Sequence, residues 1–310
     1  MEGFSVEMKR KAPAKVNLAL DILGRREDGY HEMRMVMQTV SLCDTVTVRE
    51  TEEAFSLRTD GDFIPAGKKT LEQRAAELFF QAAGQTMPGL AVTLEKRTPA
   101  YAGMGGGSAD VAALLRLLRD RYCPAMADEE LERIGLAVGS DMPFCVRGGT
   151  ALAEGRGEVL TDLPPLPPCA FVLCKPDFGI PTPTLFARVD GAELTDRPDV
   201  GGMAEALAAG DLEGVAARLG NVFEQVLPPE YGEVFRIKER LRELGALNAA
   251  MSGSGPTVFA IFRRREEAER AADRYQVFLI PGLVLLFLGA ALSKGRLQGR
   301  AGGPAQPDVR

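Results

Sequence analysis

A run of twelve residues, Pro99-Ala-Tyr-Ala-Gly-Met-Gly-Gly-Gly-Ser-Ala-Asp110, constrains this chain more than any other stretch. Before it, Leu90, Val92 and Leu94 alternate with Ala91, Thr93 and Glu95, the period of a half-buried strand. After it, Val111, Leu114, Leu115 and Leu118 recur at i, i+3, i+4 and i+7, one face of a helix. A loop bearing Gly103, Gly105, Gly106 and Gly107 therefore joins a strand to a helix N-terminus. Lacking Cβ atoms, its backbone can take positive φ and come close to a ligand. The helix start adds unpaired N–H groups and the positive end of a dipole, a setting that suits phosphate. No Gly-Lys-Ser/Thr follows, so this is not a Walker A loop, and Gly105-Gly-Gly-Ser108 fits a dinucleotide fingerprint poorly. The bland alternative is a glycine turn that only packs a strand on a helix, and the remaining sequence has to decide between the two.

Four other places carry chemistry. In Lys11–Leu20, Val16, Leu18 and Leu20 alternate with Lys15, Asn17 and Ala19. Lys15 and Asn17 on one face of an apolar strand line either solvent or a cleft. Asp28-Gly29 marks a turn, and Tyr30-His31 stands at the mouth of the next extended stretch, Met33–Val40. His31 is the only histidine, and no Gly-x-Ser-x-Gly elbow accompanies it, which disfavours a serine triad and a zinc site. Asp141, in Gly139-Ser-Asp-Met-Pro-Phe144, either closes a helix with an Asx turn or acts as a base or metal ligand. A second small-residue loop, Met251-Ser-Gly-Ser-Gly-Pro-Thr257, precedes the strand Val258–Phe262. Two such loops beside regular elements fit one nucleotide site.

The pattern predicts further strands at 4–24, 45–49 paired with 55–57, and 169–174. It predicts helices at 70–83, 128–138 with Asp128 as N-cap, 201–209, 211–226, 232–244 and 264–273. Prolines 164, 165, 167 and 168 mark a crossing between two domains, 1–160 and 161–280. Residues 281–310 read as an atypical, disordered tail. The apolar run 277–292 is short for a membrane span and is broken by Pro281. A net charge of −6 argues against broad nucleic-acid affinity. Five scattered cysteines without a CxxC pair, and a start without an apolar run, suggest a cytoplasmic protein with reduced thiols.

Six pieces in one order resemble the GHMP kinase superfamily: Ala12-Pro-Ala-Lys-Val-Asn-Leu18, Asp28-Gly-Tyr-His31, Ala102–Asp110, Gly139–Phe144, Ile180-Pro-Thr-Pro183 with Phe186, and Ser252–Thr257. They cover about residues 10–262, and the resemblance fades after Leu279. It implies a two-domain α+β fold, with a ribosomal protein S5 domain 2-like N-terminal domain and a ferredoxin-like C-terminal domain. The first, second and fifth pieces point to the branch that serves non-mevalonate isoprenoid synthesis and phosphorylates a cytidine diphosphate derivative. Homoserine- or mevalonate-type kinases and a non-catalytic nucleotide binder on the same fold are the alternatives. The resemblance implies that Asp141 is the general base and Lys15 the cation beside it. It implies that Pro99, Ala102, Gly103, Met104, Gly105, Gly106, Gly107, Ser108 and Ala109 cradle ATP, with Ser108 also reaching Mg²⁺. Tyr30 and Phe186 resemble the rings that sandwich cytosine, His31 the reader of its edge, and Asn17 and Thr182 polar contacts to the substrate. Partners are then small molecules, with no nucleic acid and no membrane, and the chain is a monomer or homodimer. Ala109 stands where the family has a second serine, and Thr70 where it has an asparagine.

Overall fold

The computed structural model describes residues 7–60 and 69–277, with side chains as far as residue 274. The chain opens on two long antiparallel strands, β1 (Met8–Arg25) and β2 (His31–Thr51), joined by the Arg26–Tyr30 turn. Then come β3 (Ser56–Thr59), α1 (Leu71–Ala82), β4 (Gly89–Glu95), α2 (Gly106–Tyr122), α3 (Asp128–Leu136), α4 (Met142–Arg147), β5 (Thr150–Gly155) and β6 (Val159–Asp162). The second half runs β7 (Ala170–Cys174), α5 (Thr182–Asp190), α6 (Val200–Ala209), α7 (Leu212–Ala217), β8 (Gly220–Asn221), two short 3₁₀ turns, α8 (Glu233–Glu243), β9 (Asn248–Met251), β10 (Val258–Phe262) and α9 (Arg265–Val277). A seven-stranded sheet has the order β3-β4-β2-β1-β8, with β5 bridging β2 and β6. A three-stranded antiparallel sheet has the order β7-β10-β9. The fold is α+β.

β2 is a single strand where the sequence pattern predicts two. One edge of it follows β1 from His31 to Val48, while the other meets β5 over Met33–Gln38 and β4 over Thr45–Thr51. The change of neighbour produces the apparent break. Residues 55–57 do not pair with 45–49: β3 lies parallel to β4 instead. The alternation in β1 also fails at one point. Val16 and Leu18 join one apolar cluster, but Leu20 and Ile22 join another, and Ala19 stays with the first. A register shift between Asn17 and Ala19 accounts for the switch, because an extra residue reverses the side-chain alternation.

Two more expectations need correction. The helix read over 211–226 stops at Ala217, and Gly220–Asn221 pairs with Ala19–Leu20 as the edge strand β8. The glycine and the extended asparagine (φ −144°, ψ 115°) interrupt the helix in favour of that pairing. The N-cap of α3 is Ala127, in extended conformation, and Asp128 is the first helical residue, its carboxylate held by Arg116 and Arg119. The tail 281–310 and the apolar run beyond Val277 lie outside the described residues. Among the described residues, no helix is long and apolar enough to cross a membrane.

Three apolar clusters hold these layers. One lies under α1, α2 and α3 and includes Phe79, Phe80, Leu114, Leu118 and Leu131. The other two each contain residues from both sheets. Leu20, Ile22, Met35 and Met37 meet Val172, Val258, Ala260 and Phe262, while Val16, Leu18 and Val36 meet Phe171, Leu173, Phe259 and Ile261. Every residue of β7 and β10 is buried, so both faces of the smaller sheet are covered. Each fully buried large side chain contributes about 1.5–3 kcal/mol.

Candidate active site

The glycine loop turns into α2 through Gly105, whose left-handed φ of 66° sits at the N-cap. No side chain caps this end and no acidic residue occupies its first turn. Gly107 is exposed, and Gly106 and Ser108 are partly so. The helix dipole and its first N–H groups therefore face space that a ligand can enter. Ala102, Met104 and Ala109 are buried in the apolar clusters and shape the loop from behind, and Pro99 is half-buried.

Contact with the second small-residue loop explains Gly103. A Cβ there would stand 2.1 Å from the Ser252 carbonyl oxygen. Ser252 Oγ donates to the Gly103 carbonyl at 2.9 Å, and the Asn17 N–H reaches the same hydroxyl at 3.4 Å. Ser254 Oγ lies 2.7 Å from Thr182 Oγ1 at the start of α5. The structure thus brings both loops, β1 and α5 into one neighbourhood.

Lys15 is the hub. Its backbone N–H donates to the Met104 carbonyl at 3.0 Å, tying β1 to the loop. Its buried Nζ donates to Asn17 Oδ1 at 2.8 Å and lies 3.2 Å from Asp141 Oδ2. A Cβ at Gly105 would sit 3.1 Å from Lys15 Cγ, so lysine and glycine loop touch. Register shifts at Pro13/Lys15 and Asn17/Ala19 bracket the two polar residues. Asp141 occupies the N-cap position of α4, a short helix that the sequence pattern did not announce, and Pro143 helps start it. The Asp141 side chain is 34% exposed, so a substrate can reach it. Asn17 is buried, and its Nδ2 approaches Met35 Sδ at 3.1 Å while its Oδ1 serves Lys15.

A second corner is aromatic. Tyr30, 52% exposed at the end of the hairpin turn, has the Arg156 guanidinium 4.5 Å over its ring. His31 begins β2. Its ring stacks on Phe186 of α5 with centroids 4.5 Å apart and planes at 26°. Its Nε2 lies 2.6 Å from Asp190 Oδ1. Phe186 is braced edge-on by Phe223 at 5.0 Å. Tyr30 and Phe186 both belong to this corner, and the ring found against Phe186 is His31.

Sequence reasoning missed two supports. Asn221 donates from Nδ2 to the Met251 and Gly253 carbonyls, each at 2.8 Å, and fixes the second loop from below. Beneath α2, Lys96 is held between the carboxylates of Asp44 and Asp110. Asp44 also accepts the Arg97 and Thr98 N–H groups. Burial, opposed by Lys96 but reinforced by Asp44, pushes the Asp110 carboxyl up to about 7. Burial pulls Lys96 down, and the two carboxylates outweigh it and hold its value up. The Lys96 contact alone would lower Asp110; burial, helped by the negative charge of Asp44, outweighs it. The signal for this cluster was a lone lysine just after a strand, which carries no pattern of its own.

This geometry defines a class: a glycine loop at a helix start with an Asp–Lys pair against it. Models of the GHMP kinases N terminal domain and GHMP kinases C terminal match residues 70–149 and 203–278. The chain belongs to the GHMP kinase family. Among its relatives is the 4-diphosphocytidyl-2-C-methyl-D-erythritol kinase of Lachnoclostridium phytofermentans, 42% identical over 268 residues, covering 86% of this chain and 92% of that protein. The protein of that name from Pelotomaculum thermopropionicum is 44% identical over 266 residues, with 86% and 92% covered. A solved structure of 4-(cytidine 5'-diphospho)-2C-methyl-D-erythritol kinase is 34% identical and superposes with a TM-score of 0.75, covering 92% of this chain and 99% of that one. The L. major mevalonate kinase, at 17% identity and a TM-score of 0.73 over 93% and 97% of the two chains, shares the fold.

Proposed function

We propose that this chain transfers the γ-phosphoryl group of ATP to the 2-hydroxyl of 4-diphosphocytidyl-2-C-methyl-D-erythritol, a step of isoprenoid precursor synthesis. The observation that carries the reading is the 3.2 Å pair of Lys15 and Asp141, residues far apart in sequence that meet against the glycine loop. Phosphoryl transfer needs positioning and charge stabilisation more than covalent chemistry. Asp141, reachable from solvent, accepts the proton of the substrate hydroxyl. Lys15 holds that carboxylate in place and stabilises the alkoxide as it develops. Asn17 acts through Lys15, whose ammonium donates to its amide oxygen at 2.8 Å. The oxygen attacks the γ-phosphorus, the bond to the β-phosphate oxygen breaks, and ADP leaves from the first turn of α2.

Among the described residues, no three His, Cys, Asp or Glu side chains gather to hold a metal. Magnesium usually keeps its waters and binds one or two protein oxygens together with phosphate. The partly exposed Ser108 at the start of α2 fits that mode, and the ion would supply neutralisation of the β- and γ-oxygens. The half-exposed Tyr30 offers a ring face to the cytosine, while Phe186 and His31 form the wall beside it. Names of the relatives support the cytidine substrate, and an Asp–Lys pair of this kind is more than a nucleotide binder needs.

The test is ADP release with the cytidine diphosphate substrate, beside homoserine and mevalonate. Turnover of the first at rates typical of kinases is expected, with the others at background. Turnover of homoserine or mevalonate instead would replace the substrate, and no ADP release with any of them would replace the reaction.

A further inference from the structure

Asp190 is the last residue of α5, where the helix dipole disfavours an acidic side chain. What it faces accounts for its presence. Its Oδ1 lies 2.6 Å from His31 Nε2, and its Oδ2 lies 3.8 Å from an Arg25 nitrogen. Phe186, four residues earlier, stacks on the same imidazole. Positions i and i+4 share a helix face, so α5 grips one ring with two side chains. Phe186 fixes the plane of the ring, and Asp190 fixes one of its nitrogens.

A carboxylate only accepts hydrogen bonds, so Nε2 carries the hydrogen, and when the imidazole is neutral Nδ1 keeps its lone pair. Among the described residues Nδ1 has no hydrogen-bond partner. We propose that Asp190 is a positioning residue that sets the tautomer of His31, and that the acceptor left at Nδ1 makes the site choose cytosine over uracil. The inference rests on the cytidine substrate proposed above. The exocyclic amine of cytosine presents hydrogens where uracil carries a carbonyl oxygen. A lone pair at Nδ1 accepts from the amine and repels the carbonyl. The opposite tautomer, with Nδ1–H, reverses the preference.

The chain's single histidine makes the test direct, because ¹⁵N NMR of the full chain shows one imidazole. Measured where the ring is neutral, the wild-type imidazole is expected as the Nε2–H tautomer. Asp190→Leu should give a mixture. In parallel, kcat/KM is measured for the cytidine substrate and its uridine analogue. Asp190→Leu should lower the cytidine-to-uridine ratio about tenfold, the worth of one hydrogen bond. The loss should appear in KM for the cytidine substrate, with KM for ATP and kcat unchanged. Asp190→Asn, whose amide oxygen still accepts from Nε2–H, should keep most of the ratio. An Nδ1–H tautomer in the wild type, a ratio unmoved in Asp190→Leu, or Asn behaving as Leu would each overturn the inference. A wild-type chain that does not turn over the cytidine substrate sinks the substrate reading and this inference with it. Turnover with an unmoved ratio sinks the inference alone.

Discussion

Lys15 is out of reach of solvent and Asp141 is not, and that difference divides their work. Asp141→Asn keeps the shape of the N-cap but cannot take a proton, so kcat should fall about a hundred- to ten-thousandfold. Circular dichroism and the KM for ATP should barely move, and wild-type-like turnover would remove Asp141 from the role of base. Asn17→Leu deprives Lys15 Nζ of its 2.8 Å acceptor and should lower kcat while leaving KM for the cytidine substrate nearly unchanged. A rise in that KM with kcat intact would instead put Asn17 on the substrate. At this scale the sequence is legible wherever a residue type is unusual for its place: a lysine inside an apolar strand, a sole histidine beside a tyrosine. It is silent about partners. Nothing in the spacing says that the Asn17 amide turns inward to Lys15, because that depends on register shifts and on Met35 from the neighbouring strand.

Among the elements, the two small-residue loops are the ones whose geometry forbids change. Gly103→Ala would force a Cβ to 2.1 Å from the Ser252 carbonyl at a φ of 70°, and neither backbone can retreat. A loss of roughly 2 kcal/mol or more is expected by denaturant titration. Gly105→Ala meets the flexible Lys15 side chain at 3.1 Å instead. Its cost should fall more on catalysis, as a displaced lysine, and a stopped-assay comparison of kcat for the two variants separates them. Asn221→Ala leaves two loop carbonyls without their donor and should cost about 1–3 kcal/mol. Elements with a clean period, such as α1, β4, α8 and β10, were readable to within a residue or two of their ends, while α2 starts at Gly106, five residues before the periodicity that begins at Val111. Those made by tertiary contact were not. β8 is two residues long and exists because β1 offers an edge, and α4 is one short turn organised around Asp141 and Pro143. The strands β5, β6 and β9 went unannounced for the same reason, their residues being too mixed to alternate visibly.

For the molecule as a whole, stability should depend on the buried Asp44–Lys96–Asp110 group. The Asp110 carboxyl is raised from an ordinary 3.8 to about 7 by burial and by Asp44. Between those values the folded chain holds a proton that the unfolded chain has released, so the group's contribution is complete below the lower value and lost as pH rises through the upper one. Denaturant midpoints should therefore fall across that window, and Asp110→Asn should flatten the dependence; an equal slope in the variant would dismiss the assignment. Fold class and the two small-residue loops were visible in the sequence, since glycine loops and buried strands leave local marks. The merging of the two sheets was not, since it appears only when Leu18 and Phe259, or Met37 and Phe262, share a cluster. That merging has a consequence for the proline-bearing crossing between β6 and β7. It is a seam in the covalent chain and nowhere else. A backbone nick there should yield two fragments that elute together in native size exclusion and part only in denaturant.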